Sequence, residues 1–239
     1  SMNSTNKFKD SQTYLLVGSK KWNSSIFRSY IEQLPGQWIF IATPEKINLQ
    51  EVTEIAPRYI FFLHWSWKVP NDIIERYECV CFHMTDVPYG RGGSPLQNLI
   101  VRGHQFTKLT ALQMTQEFDA GPVYLKKELG LGGNAEEIYM RATRLSFLMI
   151  EDIVREQPQP QPQIGEAVVF SRRKPFESNL NQIQSLEQIH DRIRMLDAEG
   201  YPKAFIQHEG FRFEFSRSAL YHGRVVADVT IIPIEEDES

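Results

Sequence analysis

The first half of the chain alternates short apolar runs with segments whose apolar residues recur at helical spacing. The apolar runs lie at 14–17, 37–42, 59–63 and 79–82, and they predict strands. Helices are predicted from Asn23 or Ser24 to Leu34 and over Pro70 to Tyr77. This regular order of strand and helix favours an α/β protein with a Rossmann-like open, mostly parallel sheet and helices on both faces.

The middle of the chain contains two helix start signals and one stretch of strand periodicity. Ser94-Pro95 places a hydroxyl cap before a proline, which predicts a short helix from 95 to 102. Residues 107–114 alternate polar and apolar side chains, as in an edge or antiparallel strand. Asn134 and Glu137 have the spacing of a capping box, which predicts a long helix to about Arg155. Its predicted buried stripe consists of Ile138, Ala142, Leu145, Leu148, Met149 and Ile153.

The alternation of proline and glutamine at 157–163 predicts an extended linker between two domains. We therefore expect a catalytic domain at 13–156, a linker at 157–165 and a small C-terminal α+β subdomain at 166–234. In the subdomain, Ser185 and Gln188 predict the start of a helix, and Gly210 and Gly223 predict the turns of two hairpins. Exposed hairpins can pair between copies, so a homodimer is one expectation.

Charge and composition narrow the classes of partner and compartment. A formal net charge of -4 provides no global field for nucleic acid, so we expect no nucleic-acid partner. No apolar run approaches the roughly 20 residues that cross a bilayer, which predicts no membrane span. Cys79 and Cys81 stand too close along the chain to cross-link distant segments. These features together predict a reduced, cytoplasmic protein.

Several cofactor motifs are missing, and one segment stands out instead. The chain has neither a dinucleotide-binding GxGxxG nor a Walker loop, and His64, His83 and His104 are too scattered for a metal site. We therefore expect no metal. The segment from Cys81 to Gln97 leaves the carboxyl end of the fourth predicted strand, where open sheets of this class bind ligands. It combines a histidine, a glycine-rich loop, an arginine and a helix N-terminus, which suit an anionic substrate.

This segment resembles the signature of the formyltetrahydrofolate-dependent formyltransferases, Asn-x-His-x-Ser-Leu-Leu-Pro-x-x-Arg-Gly followed by small residues, Pro and Gln. The residues in register with it are His83, Pro88, Arg91, Gly92, Pro95 and Gln97. A second block of the family, Asp-x-Gly within a strand-loop-strand unit, is matched by Asp119 and Gly121. The resemblance extends over about residues 13 to 215.

The resemblance implies a 10-formyltetrahydrofolate-dependent N-formyltransferase with a definite set of site residues. His83 is expected to accept the amine proton or to support the oxyanion, and Asp119 to orient the imidazole and relay protons. The expected folate-binding residues are Phe62, Trp65, Ser66, Trp67, Val69 and Gln116. The expected acceptor-binding residues are Arg91, Gly92, Gly93 and Gln97. A structural alternative is that Trp65 and Trp67 only pack over the end of the sheet. The alternative for Arg91 is a cation that faces solvent and binds no substrate.

The chain departs from the family pattern at a catalytic position, and the family's Ser-Leu-Leu is Thr85-Asp86-Val87 here. The family's catalytic asparagine, two residues before the histidine, is Cys81 in this chain. The resemblance implies that this asparagine binds the oxygen of the tetrahedral intermediate, and a neutral thiol is a weak donor. Backbone amides, Asn98 or protonated His83 are the three candidates for that task.

The acceptor is the least determined part of the interpretation. The string from His83 to Asn98, and Phe170 to Ser178 further on, are most similar to sugar-modifying members, so the first expectation is a nucleotide-linked amino sugar. One alternative is formylation of an aminoacyl group on tRNA or on a carrier protein. Another is a catalytically inactive folate- or nucleotide-binding module. The absence of the catalytic asparagine, replaced by Cys81, is compatible with that alternative.

Overall fold

The computed structural model describes residues 11–19, 25, 27–64 and 67–235. In chain order the helices and strands are β1 (Thr13–Gly18), β2 (Gln37–Ile41), α1 (Leu49–Ile55), β3 (Tyr59–Leu63), α2 (Asn71–Arg76), β4 (Glu78–His83), β5 (Tyr89–Gly92), α3 (Pro95–Val101), β6 (Phe106–Gln113), β7 (Val123–Gly130), α4 (Ala135–Glu156), β8 (Val168–Phe170), α5 (Leu186–Arg194), β9 (Ala204–His208), β10 (Phe211–Tyr221) and β11 (Arg224–Pro233). The start of the helix predicted from Asn23 or Ser24 to Leu34 lies outside the described residues, whereas residues 27–29 are helical and Ile31–Gln33 form a 3-10 turn.

The chain groups into two compact units that alternate along the sequence. The first contains the described residues up to Arg91, together with 108–128 and 142–169. The second contains 92–107, 129–141 and the described residues from Phe170 onward. The division into domains around 157–165 stays a prediction, and the proline-glutamine segment itself belongs to the first unit.

A six-stranded sheet in the order β2-β1-β3-β4-β6-β7 confirms the predicted fold class. The pairs β1–β2, β1–β3 and β3–β4 are parallel, whereas β6 pairs antiparallel with β4. The run Tyr59–Leu63 is buried along its whole length, as expected for a central strand of a parallel sheet whose faces are covered by the connecting helices. This burial explains why the central strands are continuous apolar runs without alternation.

The long helix α4 begins as predicted, but one residue of its predicted buried stripe is wrong. Glu137 N–H donates to the Asn134 side chain at 2.9 Å, and Asn134 N–H donates back to the Glu137 carboxylate at 3.1 Å. Leu148, placed in the buried stripe, is 46% exposed, whereas Phe147 is 3% exposed. The buried face therefore lies one residue closer to the N-terminus at this turn.

The second unit contains α5 and the three-stranded sheet β11-β10-β9. The Ser185 hydroxyl caps α5 by accepting from Gln188 N–H at 3.1 Å, and both predicted hairpins are present. β11 is an edge strand with exposed apolar residues, including Val229 and Ile231. Pairing of this edge between copies stays a prediction.

The proline-glutamine segment pairs with β7 instead of spanning open solvent. Gln161 and Val123 exchange two backbone hydrogen bonds, of 2.7 and 2.9 Å, and both lie in the first unit. Gln161 can do so because the alternation leaves every second residue with its N–H, which proline lacks.

The described residues contain neither a helix that could span a membrane nor a cluster that could bind a metal. No helix in the described ranges combines the length and apolarity that crossing a bilayer needs. Within the same ranges, no three histidine, cysteine, aspartate or glutamate side chains gather where they could bind a metal ion.

Candidate active site

His83 is the last residue of β4, at the carboxyl edge of the parallel strands, and it is 9% exposed. Its Nε2 lies 2.8 Å from the carbonyl oxygen of Gly90. A carbonyl only accepts, so Nε2 carries the hydrogen and Nδ1 keeps its lone pair in the neutral ring. The Thr85 hydroxyl donates to the same oxygen at 3.0 Å, and Thr110 Oγ1 donates to the Thr85 carbonyl at 2.7 Å. This buried network determines both the orientation and the tautomer of the imidazole.

Asp119 faces the other nitrogen of that ring. Its Oδ1 lies 3.5 Å from His83 Nδ1, and the two side chains are 19% and 11% exposed. Asp119 has a φ of +60°, in the left-handed region that few non-glycine residues adopt. The sequence prediction that His83 and Asp119 form a pair therefore has a matching geometry, although their catalytic roles stay predictions.

Gly121 ends the Asp119 turn where no side chain fits. A Cβ atom at this position would lie 1.8 Å from the carbonyl oxygen of Gln113. Glycine is required here for close backbone approach rather than for an unusual φ.

Gln163 joins the Asp119 turn to Arg91, a connection that the sequence interpretation missed. Its Nε2 donates to the carbonyls of Asp119 at 2.7 Å and Gly121 at 2.9 Å. Its Oε1 accepts from Arg91 Nε at 3.0 Å and Nη2 at 2.8 Å. The only signal in the sequence was a polar side chain at every second position of the proline-rich segment.

Cys81 lies two residues before His83 on β4, where the family pattern has asparagine. Burial, together with the nearby negative charge of Asp119, raises the pKa of the Cys81 thiol to about 12. The thiol is therefore neutral at physiological pH, and it is a weak hydrogen-bond donor.

Asn98, one candidate for the missing oxyanion donor, is committed elsewhere within the second unit. Its Nδ2 lies 3.0 to 3.1 Å from the carbonyls of Gly93, Ser94 and Ser171, and its Oδ1 accepts from Arg102. Because these carbonyls use both N–H groups of the amide, the Asn98 side chain has no donor left for an oxyanion.

The start of α3 differs from the sequence prediction. Ser94 has a φ of +46° and makes no side-chain cap bond to the helix; its hydroxyl instead accepts from the backbone N–H of Arg173 at 3.1 Å. The expected acceptor-binding residue Gln97 is 5% exposed and donates to Tyr139 Oη and the Met195 carbonyl. These bonds make Gln97 an internal residue of the second unit.

The glycines expected at the acceptor site lie in the second unit, unlike Arg91. Gly92 has a φ of +103°, and a Cβ at Gly93 would lie 2.9 Å from the Arg172 Cα atom. Both positions therefore have a backbone requirement for glycine, independent of any ligand.

The expected folate-binding residues are divided between buried and exposed positions. Phe62 and Val69 are each 3% exposed, whereas Trp67 is 46% exposed. Gln116 donates to Glu75 at 3.1 Å. Phe62 pairs with Cys81 in the β3–β4 register, which places the end of β3 beside the strand that ends at His83. Trp65 and Ser66 lie outside the described residues.

Comparison with known proteins agrees with this fold and motif order. The chain is 44% identical to a solved methionyl-tRNA formyltransferase from Clostridium thermocellum, over 93% of this chain and 99% of that one, with a TM-score of 0.88. Residues 175–232 match the family model described as methionyl-tRNA formyltransferase, C-terminal domain. A 4-N formyltransferase from Francisella tularensis shares the fold, with a TM-score of 0.65 and 17% identity.

Curated relatives are more distant and longer than this chain. The methionyl-tRNA formyltransferase of Thermodesulfovibrio yellowstonii is 22% identical over 64% of this chain and 54% of its own length. That of Ehrlichia ruminantium, strain Welgevonden, is 24% identical over 76% of this chain and 62% of its own length. The chain thus spans less than two thirds of these relatives.

The comparisons correct the predicted partners. Because these relatives are named for methionyl-tRNA, the prediction of a nucleotide-sugar partner and no nucleic acid is wrong. The expectation of no nucleic acid rested on a net charge of -4, which sums over the whole chain and does not report where individual cations lie. The expectation of a nucleotide-linked sugar rested on the resemblance of the His83–Asn98 string to sugar-modifying members. At 44% identity over almost the whole of both chains, this chain belongs to the formyltransferase family.

Proposed function

We propose that this chain transfers the formyl group of 10-formyltetrahydrofolate to the amino group of methionyl-tRNA. The observation that supports the proposal most directly is the similarity to the Clostridium thermocellum methionyl-tRNA formyltransferase along nearly the full length of both chains. The match of residues 175–232 to the C-terminal domain model of the same proteins supports the choice of acceptor.

His83 is the general base in this proposal. An amine that attacks a formyl carbon must lose a proton, and histidine exchanges protons near neutral pH. The bond from Nε2–H to the Gly90 carbonyl leaves Nδ1 as the nitrogen that accepts this proton. The resulting imidazolium would face the Asp119 carboxylate, 3.5 Å away, which stabilises the positive charge.

Asp119 faces Nδ1 of His83, the nitrogen that accepts the proton, and not Nε2, which is bound to the Gly90 carbonyl. In a serine-protease triad the carboxylate holds the nitrogen that points away from the substrate. In this chain the Gly90 carbonyl occupies that position, and Asp119 shares the side of the proton-accepting nitrogen. This geometry suits Asp119 as the group that receives a proton from His83 and passes it on, and makes orientation the task of Gly90.

The folate is expected to bind beside the end of β3 in this proposal. Trp67, which follows β3 and is 46% exposed, would supply an aromatic surface for the flat ring system. Phe62 belongs to the hydrophobic core and pairs in register with Cys81 on the strand that ends at His83. When bound, 10-formyltetrahydrofolate would supply the formyl group: the carbon's bond to the folate nitrogen breaks as its bond to the acceptor nitrogen forms, and the proton lost by the amine would be returned to the departing folate nitrogen. The chain's own residues would orient the folate and exclude water.

The oxyanion donor in this proposal is protonated His83 or the backbone amides. A thiol whose pKa is raised to about 12 remains a weak donor at Cys81, and the Asn98 amide is used within the second unit. Catalysis therefore does not depend on the side chain that the family places two residues before the histidine.

A direct assay separates the candidate functions. The purified chain is incubated with 10-formyltetrahydrofolate and methionyl-tRNA, and N-formylmethionine is measured by mass spectrometry after hydrolysis of the ester. Parallel reactions contain nucleotide-linked amino sugars, and the His83→Asn variant is the control. Formylation of methionyl-tRNA alone supports the proposal. Formylation of a sugar alone contradicts it, and folate binding without transfer to any amine indicates an inactive module.

A further inference from the structure

The segment that carries Gln163 has a defined register against β7 within the first unit. Gln161 exchanges both of its backbone hydrogen bonds with Val123, at the start of β7. Two residues further on, Gln163 reaches the turn that precedes β7, between Asp119 and Gly121. The backbone pairing at Gln161 thus places the Gln163 side chain against the turn formed by residues 119–121.

The Gln163 amide has a single orientation that satisfies its neighbours. Arginine can only donate, and backbone carbonyls can only accept. The amide oxygen must therefore face Arg91, and the amide nitrogen must face the carbonyls of Asp119 and Gly121. All four distances lie between 2.7 and 3.0 Å, so both ends of the amide are fully used.

The turn that Gln163 contacts is one that needs support. A φ of +60° at Asp119 is costly for a residue with a Cβ and persists only where its surroundings enforce it. The two bonds from Gln163 restrain the carbonyls on either side of Ala120, and the Asp119 carboxylate emerges from this restrained backbone 3.5 Å from His83 Nδ1.

We propose that Gln163 is a positioning residue for the formyl-transfer reaction, which holds Asp119 against His83 and orients the Arg91 guanidinium through the same amide. This inference rests on the proposed function for its chemical meaning. Gln163 itself touches no reacting atom; it acts through the Asp119 backbone and the Arg91 side chain.

Two variants separate the two ends of the amide. Gln163→Glu keeps an oxygen for Arg91 but replaces the donor to the Asp119 turn with an acceptor, which repels both carbonyls. Gln163→Met removes both ends at nearly constant volume. Gln159→Glu and Gln159→Met are the matched controls, because Gln159 is an exposed residue of the same segment.

The test combines kinetics with nitrogen-15 NMR of the imidazole in the full chain. Gln163→Glu is expected to lower kcat about 10- to 100-fold, the usual cost of losing the support of a catalytic group, with little change in KM for folate. The His83 Nδ1 resonance is expected to shift, whereas Nε2, held by the Gly90 carbonyl, keeps its wild-type value. Gln163→Met is expected to show the same Nδ1 shift and a higher KM for the acceptor.

The imidazole signals decide the role of Gln163 whether or not the proposed function holds. Wild-type Nδ1 resonances in both Gln163 variants would overturn the inference, as would kcat within twofold of the Gln159 controls. If the wild-type chain formylates no acceptor, the proposed function fails, while a shifted Nδ1 signal still shows that Gln163 positions Asp119.

Discussion

His83 donates from Nε2 to the Gly90 carbonyl at 2.8 Å, so its Nδ1 is the nitrogen that faces Asp119. This arrangement assigns orientation to a backbone oxygen and leaves the carboxylate beside the nitrogen that changes protonation. Substitutions of Asp119 should therefore leave the orientation of the imidazole ring unchanged. The same substitutions should impair proton transfer at Nδ1.

Neutral substitutions of His83 and Asp119 test whether the two side chains carry out the proton transfer. His83→Asn and Asp119→Asn are expected to lower kcat by at least about 10²-fold, the lower end of general acid–base contributions. Asparagine tolerates the left-handed φ of Asp119, so the melting temperature of Asp119→Asn should stay close to wild type. Single-turnover formylation and thermal melts measure both effects. Wild-type kcat in both variants contradicts the assignment.

Gly121→Ala tests the close approach beneath the Asp119 turn. The new Cβ would lie 1.8 Å from the Gln113 carbonyl, so the strand ends must separate. We expect a loss of about 2 kcal/mol or more in the free energy of unfolding, typical of a backbone clash, accompanied by loss of kcat. Gly132→Ala, which meets nothing within 4 Å, is the matched control in urea titrations. Equal midpoints in the two variants are incompatible with this packing.

Asn98→Ala distinguishes a structural from a catalytic amide. It leaves the carbonyls of Gly93, Ser94 and Ser171 without this donor, and should cost about 1–3 kcal/mol in unfolding free energy. In Asn98→Asp, which keeps an acceptor for Arg102, a similar loss is expected because the carbonyls face an acceptor. A variant with wild-type stability and a strongly reduced kcat would restore Asn98 as an oxyanion donor.

We expect the Cys81 thiol to react slowly with alkylating agents. Burial raises the pKa of this thiol to about 12, and because a raised thiol pKa favours the neutral form, thiolate accumulates only as the pH approaches 12. Iodoacetamide at pH 8 should alkylate Cys81 far more slowly in the folded chain than in guanidinium-unfolded chain.

Removing the thiol then tests its catalytic role. Because a neutral thiol adds little as a donor, Cys81→Ala should keep kcat within about threefold of wild type. A 10²-fold fall in kcat would show that the thiol takes the place of the family's asparagine.

Much of the fold follows from the sequence because its signals are local. The buried strand runs, the Asn134–Glu137 capping box and the Ser185 cap all depend on residues within a few positions of one another. Gln163 shows where such reasoning stops, since its partners at Asp119 and Arg91 lie 44 and 72 positions away. Ser94 is a residue type that commonly caps helices, but its hydroxyl accepts from the backbone N–H of Arg173, 79 positions along the chain.

The expectation of no nucleic-acid partner was wrong for a different physical reason. Net charge sums the whole chain, whereas an RNA backbone responds to individual cations. Arg172 and Lys174 are both exposed in the second unit.

Replacing both exposed cations should weaken tRNA binding. Arg172→Ala combined with Lys174→Ala is expected to raise KM for methionyl-tRNA, to flatten the dependence of log KM on log salt, and to leave KM for folate unchanged. Steady-state kinetics at several salt concentrations checks this. Equal salt slopes in the variant and the wild type contradict a role for these cations.

The identity of the acceptor decides the proposed function, and one competition assay determines it directly. The wild-type chain receives limiting 10-formyltetrahydrofolate in the presence of methionyl-tRNA and a panel of nucleotide-linked amino sugars. Mass spectrometry then follows the formyl group. The proposed function predicts N-formylmethionyl-tRNA as the product, abolished in His83→Asn. A formylated sugar with unmodified methionyl-tRNA would contradict it.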